Sequence, residues 1–360
     1  MHLRAWPLFI LLSVACGGSP SSLDAGADAS SFDAGADAGP LVDPGAARFV
    51  AAEPSGEGPW GVWGFMTVSL GPDRAIVLGG TDATSFGGLV FDSVWSVSIG
   101  AGTLSATAIE ATGPAPRYCG CAAYDPARDV VLVFGGRDLT GPALAAETWE
   151  LSLADRTWTR IEAAAQPRGV IGCAMAYADT RDAIYLFGGA SLAGPSSDTY
   201  RYDADARTWV RLDATGPLAR YDGVLLSYGD ELLLFGGSYG ATGPAFYADF
   251  WRFDPSLETW TELTMAEPIP PGRRTAWIVR DPARDGLYVG FGYDGMLQPY
   301  GDLWYADLDA RTWTAIPLPD DGPPPRGFSP ALPGGPASLG TLIGGNGARN
   351  PVSDAWQLVR

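Results

Sequence analysis

One phrase recurs six times along this chain: an apolar run, two glycines, a loop, then an acidic residue, an aromatic pair and a tryptophan. The glycine pairs are Gly79-Gly80, Gly135-Gly136, Gly188-Gly189 and Gly236-Gly237, then a degraded copy at Phe291-Gly292, then Gly344-Gly345. Their spacing is about 48 to 56 residues, a period at which each copy is one small unit that buries its apolar face only against its neighbours.

The third copy shows how such a unit is built. Gly172 to Tyr177 reads GCAMAY, Ala183 to Gly189 reads AIYLFGG, Asp198 to Asp203 reads DTYRYD and Arg207 to Leu212 reads RTWVRL. These are four short strand-like stretches separated by turn residues. The second is almost wholly apolar, as suits a strand covered on both faces. In the third and fourth, large side chains alternate with polar ones, which puts Tyr200, Tyr202 and Trp209 at period-2 positions. Paired glycines at a strand end remove side chains where another backbone or a ring must come close. The second copy repeats the plan in Glu147-Thr148-Trp149 and Thr157-Trp158, the fourth in Asp249-Phe250-Trp251 and Thr259-Trp260, and the fifth in Asp302-Leu303-Trp304 and Thr312-Trp313. The first keeps Trp95, with Leu104 or a neighbour in place of the late tryptophan.

A double glycine, an acidic residue before an aromatic and a tryptophan about nine residues later resemble the Kelch repeat, over roughly residues 47 to 360. That resemblance implies an all-β fold, a six-bladed Kelch-type β-propeller. The sixth copy stops at Asp354-Ala355-Trp356-Gln357-Leu358 without a fourth strand, whereas Arg48 to Glu53, before the first copy, reads like an orphan fourth strand with Phe49 at the tryptophan position. The expectation is that this N-terminal strand completes the last blade and closes the ring.

Met1 to Cys16 read as a secretion signal. Arg4 supplies the basic start, Leu8 to Leu12 the apolar core and Ser13-Val14-Ala15 a small-residue cleavage site. Cys16 follows at once, so the segment resembles a bacterial lipobox, with Ser13 where leucine is usual and Leu12 one position early. The resemblance implies lipidation of Cys16 and an exported protein anchored in the cell envelope; plain secretion is the other outcome. Residues 17 to 46, with the DAGADA phrase and Asp24, Asp28, Asp33 and Asp37, are too small and acidic to offset their ordering entropy and read as a solvated tether.

Composition excludes several chemistries. A formal net charge of −18 argues against nucleic acid and against anionic membrane surfaces, leaving the lipid as the only membrane contact. All 23 basic residues are arginine, which removes lysine Schiff-base and lysine general-base chemistry. The single histidine, His2, lies in the signal, so the mature chain has no means to build a Ser-His-Asp triad or a histidine metal site. Galactose oxidase, an enzyme on a Kelch propeller, holds copper partly through histidines; copper oxidase activity is therefore excluded, and no cofactor or metal is expected. Cys119 and Cys121 fall in an inner strand of the second copy and Cys173 in the matching strand of the third. Two readings stay open for them: a bridge across the copies, with Cys121 and Cys173 as the candidate pair, or small buried hydrophobes.

Arginines recur before the innermost strands at Arg117, Arg168, Arg220, Arg273 and Arg326, separated by 51 to 53 residues. They are expected at equivalent places around one mouth of the central channel. One reading makes them a repeat-wide brace, each paired with an acid of the next blade or stacked on a ring, and the other a positive funnel for carboxylates or acidic sugars. The loops after the glycine pairs should reach the same face, and Phe86, Tyr239, Phe246, Tyr293 and Tyr300 on them are candidate ligand contacts. The preferred functional class is a non-catalytic, monomeric module that binds a protein or glycan through this loop face. The alternative is a carbohydrate-active enzyme like the Kelch-type sialic acid epimerases, working with arginine and carboxylate groups alone.

Overall fold

A computed structural model describes residues 43–360 except 85–86, 139–143, 164, 241–245, 295–297 and 348–349, so the signal, Cys16, most of the tether and Phe86 lie outside the described residues. The described chain is all-β. The second to fifth repeats each form one four-stranded antiparallel sheet; in the third its strands are Ala174–Ala178, Ala183–Phe187, Thr199–Asp203 and Thr208–Leu212. This array of small antiparallel sheets is consistent with a Kelch-type β-propeller.

The first and sixth repeats share a single seven-stranded sheet, joined by the N-terminal strand Arg48–Ser55. Its first half pairs antiparallel with Ala355–Val359 of the sixth repeat, from Arg48 opposite Val359 to Ala52 opposite Ala355. Its second half pairs parallel with Thr103–Ala108 of the first repeat, from Glu53 opposite Thr103 to Ser55 opposite Ser105. Phe49 pairs with Leu358 in the register that sets Trp158 against Leu151 and Trp260 against Phe253. In the first repeat that register position belongs to Ala106, opposite Val97, rather than to Leu104. Gln357 adds to the seam, accepting from the Gly102 N–H at 2.8 Å and donating to the Gly100 carbonyl at 2.8 Å.

The sixth repeat departs from the four-strand plan at its inner edge. Pro330 and Pro333 have no N–H to give, and only an isolated pairing of Leu332 with Thr341 stands where a regular strand would be.

Apolar side chains pack between sheets. A buried cluster lies between each consecutive pair of repeats, and one of them, with Phe65, Val77, Val97, Leu332 and Ile343, joins the sixth repeat to the first. The glycine pairs set the spacing between repeats. The second glycine donates its N–H to a carbonyl of the following repeat: Gly80 to Arg117, Gly136 to Val170, Gly189 to Arg220, Gly237 to Arg273, Gly292 to Arg326 and Gly345 to Val62, at 2.8 to 3.0 Å. A Cβ on the first glycine of Gly79, Gly135, Gly188, Gly236 or Gly344 would stand 2.4 to 2.7 Å from that same carbonyl oxygen. The pair is glycine because a backbone passes there.

Nearer the axis, one residue per repeat takes a left-handed conformation: Gly64, Cys119, Gly172, Asp222, Thr275 and Phe328, with φ between 53° and 64°. Four successive N–H groups in this set donate to the preceding member's carbonyl, from Cys119 to Gly64 through Thr275 to Asp222. Gly64 donates back to Phe328 at 3.4 Å, and Phe328 reaches the Thr275 hydroxyl at 3.3 Å. Cys121 and Cys173 are joined in a disulfide between the second and third repeats, their Cα atoms 5.6 Å apart.

Removing residues 47–53 strips the whole antiparallel pairing of the N-terminal strand and the first of its three parallel pairs, and uncovers the edge of Ala355–Val359. The expected outcome is a large drop in melting temperature or aggregation, whereas removal of residues 20–40 leaves the melt unchanged. Thermal denaturation of the two deletions checks this, and equal melts would overturn the closure.

Candidate functional site

The recurrent arginines resolve into a brace. In the fourth repeat Arg220 Nε donates to the Leu218 carbonyl at 3.0 Å and Nη1 to the Gly236 carbonyl at 2.9 Å. Nη1 and Nη2 hold both oxygens of Asp249, at 2.6 and 2.9 Å. The Trp251 indole N–H donates to the same carboxylate at 2.8 Å, and the Tyr247 ring lies 4.0 Å from the guanidinium carbon. The fifth repeat repeats each part: Arg273 bonds the Pro271 and Phe291 carbonyls and both oxygens of Asp302, which also takes the Trp304 N–H, over Tyr300 at 4.4 Å. Arg326 holds Pro324, Gly344 and both oxygens of Asp354, which also takes the Trp356 N–H, and Arg117 holds Ala115, Gly135 and one oxygen of Glu147, which takes the Trp149 N–H.

Of the two readings, this geometry fits the brace rather than the funnel. Arg117, Arg220, Arg273 and Arg326 are buried, and their forks are committed to backbone carbonyls and a carboxylate. The carboxylate comes from the arginine's own repeat, not from the next one. Arg168 is out of phase: Val170 supplies the carbonyl that meets Gly136, and Arg168 is exposed. The third repeat's acid, Asp198, is instead held by Arg211 of the adjacent strand at 3.0 Å. In the first repeat both partners are missing together, with Val62 at the arginine position and Ser93 at the acid position.

Electrostatics follow burial. Burial pushes the Asp302 carboxyl up, but the hydrogen bonds and charge of Arg273 outweigh it and hold the pKa below the ordinary carboxylate range. Asp354 beside Arg326 and Glu147 beside Arg117 are lowered by the same balance. Burial pulls the Arg117 guanidinium below its ordinary value against the pull of Glu147.

The loop aromatics separate. Tyr300 is the shelf under Arg273. Tyr293 is buried, 5.0 Å from Phe328, with its hydroxyl donating to the Asn346 carbonyl at 2.6 Å. It belongs to a plug with Tyr118, Ile171, Tyr221 and Phe328 over the axis. Phe246 is half-buried, 6.0 Å from the guanidinium of the buried Arg274, which pairs with Asp222 at 3.7 Å. Tyr239 is 55% exposed. Sequence reasoning missed a second set on the same face: Leu89, Leu192, Leu218 and Ile269. Leu192 tips the hairpin Ala190–Ser191/Gly194–Pro195 and is 78% exposed. Its signal was an aliphatic residue between turn residues, at a position where the other repeats have no match. Among the described residues no group of three His, Cys, Asp or Glu side chains is placed to hold a metal ion.

The profile of the KLHDC2/KLHL20/DRC7 Kelch-repeats domain matches residues 64–279 and 146–332. The chain belongs to this family. Kelch domain-containing protein 10 of Xenopus tropicalis is 25% identical over 200 residues, 52% of this chain and 47% of the relative. Kelch domain-containing protein 3 of Homo sapiens is 27% identical over 164 residues, 40% of each chain. The flagellar outer-arm dynein alpha chain of Chlamydomonas reinhardtii is 31% identical over 135 residues, 36% of this chain and 3% of the dynein. The chain spans less than half the length of these relatives. The Kelch glycine pair, acid and tryptophan are thus the stitch and brace described above.

If the Kelch-repeat arginines are a brace, Arg220→Ala and Arg273→Ala each lower stability by roughly 3 kcal/mol, near the lower end of what a broken buried pair costs, because the acid is partly solvated. Arg168→Ala stays within about 0.5 kcal/mol of the wild type. A depressed carboxylate stabilises fully above its unfolded pKa of about 4 and loses that contribution as pH falls through the folded value. The gap between wild type and Asp302→Asn therefore narrows below about pH 4 in denaturant melts run against pH.

Proposed function

We propose that the six repeats form a six-bladed propeller, closed by its N-terminal strand, that serves as a protein-interaction module binding through the loop face. The observation that carries this reading is the placement of exposed apolar side chains. Of the seven large hydrophobic residues exposed among the described ones, Leu89, Leu192, Leu218, Tyr239 and Ile269 stand on the loops after the glycine pairs or before the inner strands. Those two sets of loops share one face, because Ser196 and Tyr247 of the first set accept from Arg220 and Arg273 of the second. Leu192, Leu218, Tyr239 and Ile269 follow one another over the third, fourth and fifth repeats. Aliphatic side chains raised on loops favour a protein partner over a glycan, since they offer contact area without hydrogen bonds.

The geometry of the chain start suits display. Arg48 pairs with Val359, at the end of the sheet opposite the 346–354 loop, so the tether leaves from the face opposite the loop face. In this reading Cys16 carries a lipid in the cell envelope, the tether spans residues 17–46, and the loop face points away from the anchor. Pro44–Ala46, just before the N-terminal strand, form a single 3-10 turn. A disulfide between repeats suits an oxidising, exported setting.

Two experiments test the proposal. Leu192→Asp and Tyr239→Ala should each weaken capture of crosslinked envelope proteins at least fivefold while leaving the melt unchanged. Unaltered capture by both variants would remove the loop face as the binding surface. Separately, Cys16→Ser should move the protein from the membrane fraction to the soluble one. A mature N-terminus without acyl mass would instead leave plain secretion.

A further inference from the structure

The brace decides which charges the loop face shows to solvent. Arg117, Arg220, Arg273 and Arg326 are drawn below the surface, and each spends its charge on a carboxylate of its own repeat. The acids on the loops that enter the fourth, fifth and sixth repeats keep theirs. Asp213, Glu267, Asp320 and Asp321 are exposed there, and none of the four is in an ion pair among the described residues. Arg211, two residues before Asp213, is held by Asp198. Among the described residues of the loops before the inner strands, the one exposed arginine is Arg168, at the entrance to the third repeat. The opposite face is built the other way. Its arginines stay near the surface and meet the acids: Arg128 holds Asp125, Asp182 and Asp205, each at 3.0 Å, Arg252 holds Glu231 at 2.7 Å and Arg201 holds Glu258 at 2.8 Å.

The loop-face acids share their loops with the exposed apolar side chains. Loop 213–219 carries Asp213 and Leu218, and loop 264–272 carries Glu267 and Ile269. Glu267 Oε2 accepts the Ile269 N–H at 3.1 Å, which fixes a carboxylate beside the root of an aliphatic side chain. The two loops are neighbours, because Tyr247 touches both. Its ring lies under Arg220, at the end of the first loop, and its carbonyl accepts from the Arg273 N–H, at the end of the second. Tyr239 stands on the loop that holds Tyr247. Aliphatic surface and unneutralised carboxylate therefore alternate over this sector.

We infer that this sector takes a basic protein segment, one that sets lysine or arginine against Asp213 and Glu267 and apolar side chains against Leu218, Tyr239 and Ile269. A long cationic side chain suits such a surface, since its stem lies along aliphatic neighbours while its head meets a carboxylate. The net charge of −18 draws a basic partner from a distance, and the loop acids fix where it lands. An acidic or neutral segment would cover these carboxylates without a partner or set like charges against them. The inference rests on the loop face being the binding surface, and it adds the charge of the partner and the sector it occupies.

The test uses the mature full-length chain and short labelled peptides of alternating leucine and lysine. Controls replace every leucine by serine or every lysine by glutamate. By fluorescence anisotropy the leucine–lysine peptide should bind saturably, at least tenfold tighter than either control, and severalfold more weakly in high salt. The double variant Asp213→Asn/Glu267→Gln should lose at least fivefold in affinity and flatten the salt dependence, with the melt unchanged. Asp73→Asn/Asp230→Asn removes the same charge from exposed hairpin turns of the opposite face and should leave binding within twofold. Equal losses in the two double variants would mean that net charge alone attracts the peptide, and would overturn the inference. So would a glutamate peptide that binds as tightly as the lysine one. Binding weakened by Leu218→Ser and Tyr239→Ala but not by Asp213→Asn/Glu267→Gln would sink the basic partner and leave the loop-face reading standing. Indifference to all of these loop-face changes would sink both.

Discussion

Everything in this ring hangs on a backbone hydrogen bond between repeats. The second glycine of each pair gives its N–H to a carbonyl two sheets' edges meet around, and the sixth repeat closes the set by reaching Val62. Such a bond needs two backbones at contact distance, and in five of the repeats a Cβ on the first glycine would stand within 2.7 Å of the accepting carbonyl oxygen. The fifth repeat tests that statement. Phe291 replaces the first glycine there, takes a positive φ of 55° and turns its ring against Phe49 and Trp277 in the seam core. The stitch itself, from Gly292 to Arg326, survives because the second glycine is kept.

The carbonyl that receives the stitch belongs, in four of the six repeats, to the arginine of the brace. One residue thus couples two neighbours: its backbone ties to the repeat before, and its side chain ties the inner entry loop to the acid and tryptophan of its own sheet. Burying that guanidinium is costly unless every donor is met, and the carbonyls two residues before it and at the strand end meet them. The exceptions obey the same physics. Where the arginine is lost in the first repeat, the acid is lost too, so no carboxylate is left buried. Where it is lost in the third, Asp198 stays and finds Arg211 from the adjacent strand.

Much of this was legible in the sequence, and the limits of that reading are physical. Four strands per repeat followed from alternation and turn residues, and the third repeat's strands fall within a residue or two of the stretches read from it. The role of Arg48 to Glu53 followed from counting strands, but the parallel pairing of Glu53–Ser55 with the first repeat did not, since nothing in an alternating pattern encodes which second neighbour a strand meets. Arg168 misled because a Pro-Arg pair looks the same two residues out of phase; only the carbonyl that meets Gly136 fixes the phase, and it belongs to Val170. Tyr293, Tyr300 and Tyr239 are alike in sequence, on similar loops, yet one plugs the axis, one supports a guanidinium and one stands in solvent. Aromaticity announces a large surface to cover, not which surface covers it.

A repeat fold of this kind divides its residues by how often they recur. Groups that recur are spent on cohesion, the glycine pairs between sheets and the arginine–carboxylate pairs within one, and the paired charges cancel, so they contribute little to the field a partner meets. In the proposed reading, recognition then falls to residues that break the pattern: Leu192 on its hairpin, Tyr239 beside the fourth glycine pair and Leu89 on the first loop. Each of these departures leaves apolar surface uncovered. At the first repeat the N-terminal strand binds the outer edge to the sixth repeat through backbone pairing, antiparallel on one side and parallel on the other. Cohesion at that seam is supplied by the main chain in the one repeat that has neither the brace arginine nor its acid, with Val62 and Ser93 in their places.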